Sequence, residues 1–108
     1  MIVRIIGAKR KLLSKMPINF EKIAKENINN EILRAAIIAE LDAVNLYEQM
    51  AALTENTHIK TILLDIAKEE KTHVGEFQVL LLTVDKQQEK SMAEGRKEVE
   101  ELTSWIDN

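Results

Sequence analysis

The sequence predicts an all-α protein built on a hairpin of two long antiparallel helices. The first observation is composition: the 108 residues include only three Gly and one Pro, and the frequent residues Ala, Ile, Leu, Glu and Lys suit helices. The second is periodicity, because apolar side chains recur at alternating spacings of three and four over residues 31–53 and 58–84, as on one helix face. The third is the polar segment 54–57 between them, which is typical of a short turn between antiparallel helices.

Residues 1–28 are predicted to form an N-terminal arm that includes a short helix. Residues 1–15 hold five basic side chains and no acidic one, a charge of +5, whereas the other 93 residues hold 10 basic and 18 acidic side chains, a charge of −8. The basic segment has no clean period and is interpreted as a tail that is solvated, folds back on the acidic body or contacts a partner. A short amphipathic helix with Pro17 in its first turn then carries Ile18, Phe20, Ile23 and Ala24.

Charge and hydropathy exclude several function classes. The acidic body argues against nucleic acid as a partner, and no apolar run approaches the ~18 residues of a membrane-spanning helix. Near the N-terminus the basic residues follow the apolar stretch, whereas in a signal peptide they precede it, so we expect a cytoplasmic protein. The sequence has no Cys. Any metal would therefore be held by oxygen and imidazole, which suit iron, manganese or zinc.

The first long helix, residues 31–53, has a carboxylate in the middle of its apolar stripe. This residue is Glu40. An unpaired buried charge costs several kcal/mol, so the side chain should be paired, protonated or bound to a metal. The stripe consists of Leu33, Ile37, Glu40, Val44, Tyr47 and Ala51.

The second long helix, residues 58–84, begins after a cap at Asn56 or Thr57 and carries two polar residues in its stripe. Glu70 and His73 are three residues apart, so they lie on one helix face about one turn apart. An antiparallel pair of helices places them opposite Glu40, because both polar interruptions fall near the centre of a stripe. The stripe consists of Leu63, Ile66, Glu70, His73, Phe77, Leu80 and Val84.

These three side chains are half of a known ligand set. Di-iron carboxylate proteins use a Glu from each of two helices and a Glu-x-x-His motif from each of two more. This chain carries one copy of each, so either it is not a di-iron protein or two chains complete one site. Further apolar residues off the stripes exceed what two helices can cover for each other, which argues for oligomerisation and a four-helix bundle completed by homodimerisation. These residues are Ile38, Leu41, Leu46, Met50, Leu53, Ile62, Ala67, Val74, Leu81 and Leu82.

Residues 29–108 are predicted to form one helical-hairpin domain that ends in a short C-terminal helix. The segment from residue 85 onward is polar, and Gly95 predicts a break before that last helix. The helix would carry Val99, Leu102, Trp105 and Ile106.

Two segments of the sequence resemble the helix motifs of the encapsulated ferritin-like proteins. Residues 38–50 read IAELDAVNLYEQM, and residues 63–77 read LLDIAKEEKTHVGEF. The separation of 30 residues between Glu40 and Glu70 matches as well. The resemblance covers roughly residues 30–84 and is close to the archaeal form, in which such a domain precedes an encapsulin shell protein.

The resemblance implies a half-ferritin whose chains pair around a di-iron centre, with the dimers assembled into an open ring of ten chains. It maps the iron ligands, and with them the catalytic residues, onto Glu40, Glu70 and His73, and an aromatic residue near the site onto Tyr47. Manganese, zinc or calcium can occupy the same ligands. Bacterial relatives have an outer iron-uptake site of two acids and a Trp. Here the matching positions hold Ala39 and Leu46, and only Asp42 is acidic.

Two functions from different classes follow as hypotheses. The first is a ferroxidase that oxidises Fe(II) at a site shared by two subunits and feeds iron storage inside an encapsulin nanocompartment. The alternative is a homo-oligomeric helical interaction module with a structural metal and no catalysis. Individual residues also keep two interpretations: Tyr47 hydrogen-bonds a ligand or is a core aromatic, and Glu69 and Glu76 are surface charges or guide iron.

Overall fold

The computed structural model describes residues 24–103, and these residues are almost entirely helical. A 3₁₀ turn at Lys25–Asn27 leads into α1, Ile28–Leu53, which is followed by α2, Thr57–Val84, and α3, Lys86–Thr103. The all-α prediction is confirmed. Several predicted features lie outside the described residues: the basic arm, the short helix apart from Ala24, and Trp105 and Ile106. No helix within residues 24–103 is both long and apolar enough to cross a membrane.

The two long helices form the predicted antiparallel hairpin. The partners of successive α1 residues run backwards along α2: Arg34 pairs with Asp85 at the far end of α2, and Glu48 pairs with Lys71. The prediction of a cap before α2 is confirmed, because the Asn56 side chain accepts hydrogen bonds from the backbone N–H groups of residues 58 and 59, both at 3.0 Å. α1 begins three residues earlier than residue 31.

Alanines and stripe residues together form the contact between α1 and α2. Ala39 and Ala43 are each 1% exposed and Ala67 is 2% exposed, whereas His73 and Leu80 of the α2 stripe are exposed. The whole α1 stripe is buried or half-buried, whereas the α2 stripe is half-buried at Leu63 and Ile66 and exposed at Leu80 and Val84. Alanine side chains are small enough to let the helix backbones approach closely, and the larger stripe residues pack beside them.

Part of the α2 stripe forms an apolar face that no described residue covers. Its exposed members are Ile59, Ile62, Leu80 and Val84, and His73 lies among them. A contiguous apolar face of this kind is unusual on a monomer and marks an interaction surface.

The prediction of a break at Gly95 is wrong, because α3 runs without interruption from residue 86 to residue 103. The chain turns instead at Asp85, whose backbone is extended at φ −118° and ψ 91°. Its side chain accepts a hydrogen bond from the Gln88 backbone N–H at 3.0 Å and pairs with the Arg34 guanidinium at 2.7 Å. A glycine inside a helix costs only about 1 kcal/mol, which does not by itself end a helix, whereas Asp85 supplies a cap.

α3 is 18 residues long and buries none of its described side chains, so it is longer than the short helix predicted. Its first turns lie beside both other helices, where Gln88 and Met92 line a groove with Arg34, Ile37 and Leu81. Beyond these turns, Val99 and Leu102 are exposed. Within the part of the chain that the structure describes, the hydrophobic core therefore belongs to the hairpin.

Candidate metal centre

The structure brings the three predicted ligands together on one side of the hairpin. Glu40 comes from the middle of α1, and Glu70 and His73 come from successive turns of α2. One ligand atom from each side chain lies within 4.8 Å of the others. The His73 Nδ1 atom is 3.5 Å from Glu40 Oε2 and 3.5 Å from Glu70 Oε2. The imidazole thus stands between two carboxylates from different helices.

The carboxylates are more deeply placed than the imidazole. The exposed fraction of the side chain is 19% for Glu40 and 16% for Glu70, compared with 46% for His73. The Oε2 atom of Glu40 is fully buried and accepts no hydrogen bond from residues 24–103. A buried anionic oxygen without a donor is costly, and a bound cation would satisfy it.

No Lys or Arg within residues 24–103 neutralises this pair of acids. Among the described residues, His73 is the only basic side chain within ion-pair distance of Glu40 or Glu70. Lys71 is adjacent to Glu70 in sequence, but its Nζ atom pairs with Glu48 at 3.4 Å. Two carboxylates and one imidazole without a Lys or Arg partner are a donor set that fits Fe(II), Mn(II) or Zn(II).

Tyr47 lies in the core of the hairpin. It is buried against Ala43 and Ala67, with Met50, Leu63 and Ile66 around them. Burial raises the pKa of the Tyr47 phenol above its ordinary value of 10.0. Within residues 24–103 no hydrogen bond links its hydroxyl to a candidate ligand, so the placement favours the interpretation as a core aromatic.

The other acids near the site occupy different environments. Asp42, which the resemblance relates to an outer iron-uptake site, is buried, and so is Ala39. Glu69 and Glu76 are both exposed, but only Glu76 lines a cavity beside Glu40 and His73. The sequence alone did not show which of these two glutamates lines the cavity, although Glu76 lies one turn beyond His73.

Comparison with known proteins agrees with this geometry. A family model described as Rubrerythrin matches residues 31–108. The sequence is 60% identical over 73 residues to a "Ferritin-like-encapsulin shell fusion protein" of Pyrococcus furiosus, over 68% of this chain and 21% of that protein. It is 35% identical over 72 residues to "Encapsulin nanocompartment cargo protein EncC" of Myxococcus xanthus, over 67% of this chain and 55% of that protein. The chain therefore spans about a fifth and just over half of the lengths of these two relatives.

A solved structure shares the fold. The crystal structure of the encapsulated ferritin domain from Pyrococcus furiosus has a TM-score of 0.72 and 53% sequence identity to this chain, and the similarity covers 85% of this chain and 96% of that domain. The resemblance noted from the two sequence motifs is confirmed. The chain belongs to the Rubrerythrin family and has the all-α fold of an encapsulated ferritin domain.

Proposed function

We propose that this chain is a ferroxidase subunit that oxidises Fe(II) to Fe(III) at a two-iron site shared by two copies of the chain. The observation that carries the proposal is the convergence of Glu40, Glu70 and His73, together with the buried Glu40 oxygen that has no hydrogen-bond donor. Membership of the Rubrerythrin family supports an iron-related role. In the overall reaction two Fe(II) ions, which are the substrate, give one electron each to O2, and two protons complete hydrogen peroxide; peroxide itself is the alternative acceptor.

Two copies are needed because one chain supplies too few ligands. A two-iron carboxylate site takes four carboxylates and two imidazoles, and one hairpin offers half of that set. The exposed apolar face of α2, with His73 among Ile59, Ile62, Leu80 and Val84, is a suitable surface for pairing. In a two-fold dimer the same patch from both chains meets itself, so two half-sets would face each other across the apolar interface.

The protein residues have simple tasks in this proposal. Glu40 and Glu70 supply anionic oxygens, and His73 supplies a neutral imidazole nitrogen. All three must be deprotonated to bind metal, so binding releases protons where they are protonated beforehand. The apolar side chains Phe77 and Leu80 limit water around the ligands, which strengthens the attraction between carboxylate and cation.

The names of the two relatives support a proposal about where in the cell this activity takes place. One is named as a fusion with an encapsulin shell and the other as an encapsulin nanocompartment cargo protein. We infer that this chain works inside an encapsulin nanocompartment in the cytoplasm, where an open ring of ten copies passes oxidised iron to a store. The encapsulin shell protein is then the partner, and the hairpin domain is the part that carries out the oxidation.

A second candidate is an interaction module whose metal is structural. The same exposed apolar face of α2 favours it, because that face would pair two chains whether or not iron is oxidised. Catalysis is what distinguishes the two functions.

The experiment compares the Glu70→Ala and Glu69→Ala variants with the parent. Fe(II) is added under air, and Fe(III) formation is followed by near-ultraviolet absorbance. We expect fast oxidation by the parent and by Glu69→Ala, whose side chain is exposed, and loss of fast oxidation in Glu70→Ala. A parent protein that dimerises and binds metal without oxidising Fe(II) would favour the structural-metal alternative, and unchanged oxidation by Glu70→Ala would exclude this site.

A further inference from the structure

A cavity beside the candidate ligands gives access to them. Its volume is about 290 Å³, and it is lined by Glu40, His73, Glu76, Phe77 and Leu80. Two of these residues are candidate ligands and two are apolar. A cation that enters the cavity therefore contacts both an α1 ligand and an α2 ligand, and Glu76 is the remaining charged group that it meets there.

Glu76 is the outermost carboxylate of this group. It lies three residues after His73, one turn further along α2, and its side chain is exposed, whereas Glu40 and Glu70 retain 19% and 16% of their exposure. Glu76 is also about 60° around the helix from His73, at the margin of the apolar face that pairs in the proposed dimer, so it stays in contact with solvent at the edge of the cavity. An ion that arrives from solution thus meets Glu76 before it meets the more deeply placed carboxylates.

The charge of Glu76 is not neutralised within the described part of the chain. Some exposed or half-exposed glutamates have cationic partners: Glu48 pairs with Lys71, and Glu100 pairs with Arg96. Glu76 has no ion pair or hydrogen bond with any described residue, and the cavity lining contains no Lys or Arg. Its full negative charge therefore acts on whatever approaches the cavity.

We propose that Glu76 is a positioning residue that captures Fe(II) from solvent and directs it through this cavity to Glu40 and His73. This proposal rests on the proposed function and adds a path for its substrate. An exposed carboxylate attracts a divalent cation only weakly and is screened by salt, so it raises the local cation concentration and the association rate without holding the ion. It should act on KM and on the rate of binding, and not on kcat.

The test compares three variants with the parent. Glu76→Gln removes the charge, Glu76→Asp keeps it, and Glu69→Gln removes an equal charge from an exposed position of the same helix that does not line the cavity. Both positions are exposed, so stability should change little in all three variants. The first readout is Fe(II) oxidation as a function of Fe(II) concentration at low ionic strength, which separates KM from kcat.

The second readout does not depend on oxidation. Terbium(III) prefers oxygen ligands, and its luminescence is sensitised by nearby aromatic rings; Tyr47 is seven residues from Glu40, about 10 Å along the helix. The rate at which luminescence rises after mixing reports the association of terbium with the site. The same measurement on Glu40→Gln gives the background from other acidic groups.

We expect Glu76→Gln to raise KM and to slow the terbium association rate by about fivefold at low salt, with kcat unchanged. Glu69→Gln should stay within about twofold of the parent, Glu76→Asp should recover most of the loss, and the difference should shrink at high ionic strength. Equal effects of Glu76→Gln and Glu69→Gln, or a fall in kcat alone, would overturn the proposal. If the parent binds terbium but does not oxidise Fe(II), the proposed function fails, and the terbium rates alone decide the role of Glu76.

Discussion

Replacing Glu40 by Gln should make the metal-free protein more stable and should remove its stabilisation by metal. Among the described residues, the buried Oε2 atom of Glu40 has no hydrogen-bond donor, and the basic atom within ion-pair distance is His73 Nδ1 at 3.5 Å. The Glu70 carboxylate lies within 4.8 Å. Gln has nearly the same shape but no charge. The substitution therefore relieves an uncompensated buried anion and at the same time removes a metal ligand.

The expected size follows from the burial of this group. A buried polar group without a partner costs about 1–3 kcal/mol and a charged one costs more. Gln keeps a polar atom in the same place, so the substitution relieves only the extra cost of the charge, and because the side chain keeps 19% of its exposure we expect a gain near the low end of that range. A gain of about 1 kcal/mol corresponds to roughly 4–8 °C in Tm for a domain of this size. Metal at 100 times its Kd stabilises the parent by about 2.7 kcal/mol, so the order of stability of the two proteins should reverse when metal is added.

The measurement is urea denaturation followed by circular dichroism, first with a chelator and then with Mn(II). Protein concentration must be held constant, because the stability of a dimer depends on it. Glu48→Gln is the matched control on the same helix, since Glu48 is exposed and paired with Lys71. It should lose at most about 0.5 kcal/mol and should keep the gain from Mn(II). The reasoning is refuted if Glu40→Gln is clearly less stable than the parent in chelator, or if it retains the gain from Mn(II).

Three further predictions use the same structure. Without metal, the Glu70→Ala dimer should associate at least as tightly as the parent in sedimentation experiments, because a dimer site would otherwise bring like charges together; a clearly weaker dimer contradicts this. The pKa of Asp85 is lowered below its ordinary value of 3.8, mainly by the hydrogen bond from the Gln88 backbone N–H and secondly by Arg34. The contribution of Asp85 to stability is therefore present above about pH 4 and is lost as pH falls through the lower folded pKa. The stability advantage of the parent over Asp85→Asn should accordingly be constant near neutral pH and should shrink in acid. Tyr47 is the only Tyr, so absorbance at the phenolate band should show its titration above pH 10 in the folded protein and near pH 10 in urea. The free energy of unfolding should fall as pH rises through that interval. A titration midpoint that urea does not change would contradict the burial of the phenol.

Features that depend on local chain geometry could be predicted from the residues alone. Helix periodicity located α1 and α2 to within three residues, and the Asn56 cap followed from side-chain chemistry at the turn. The spacing of Glu70 and His73 places them on successive turns of any helix. The short turn then makes the helices antiparallel, so Glu40 had to lie near both. These features need only the helix repeat and a two-helix hairpin.

Which helix faces meet and which acids line the cavity depends on tertiary packing. The stripe pattern did not show that Ala39, Ala43 and Ala67 are among the most deeply buried residues of the contact, or that His73 lies on an open face. Glu69 and Glu76 are seven residues apart and lie on the same face of α2, so they differ in position along the helix axis, and only Glu76 lines the cavity. These outcomes depend on the sum of many small packing contacts between distant residues, and periodicity within one helix carries no information about that sum.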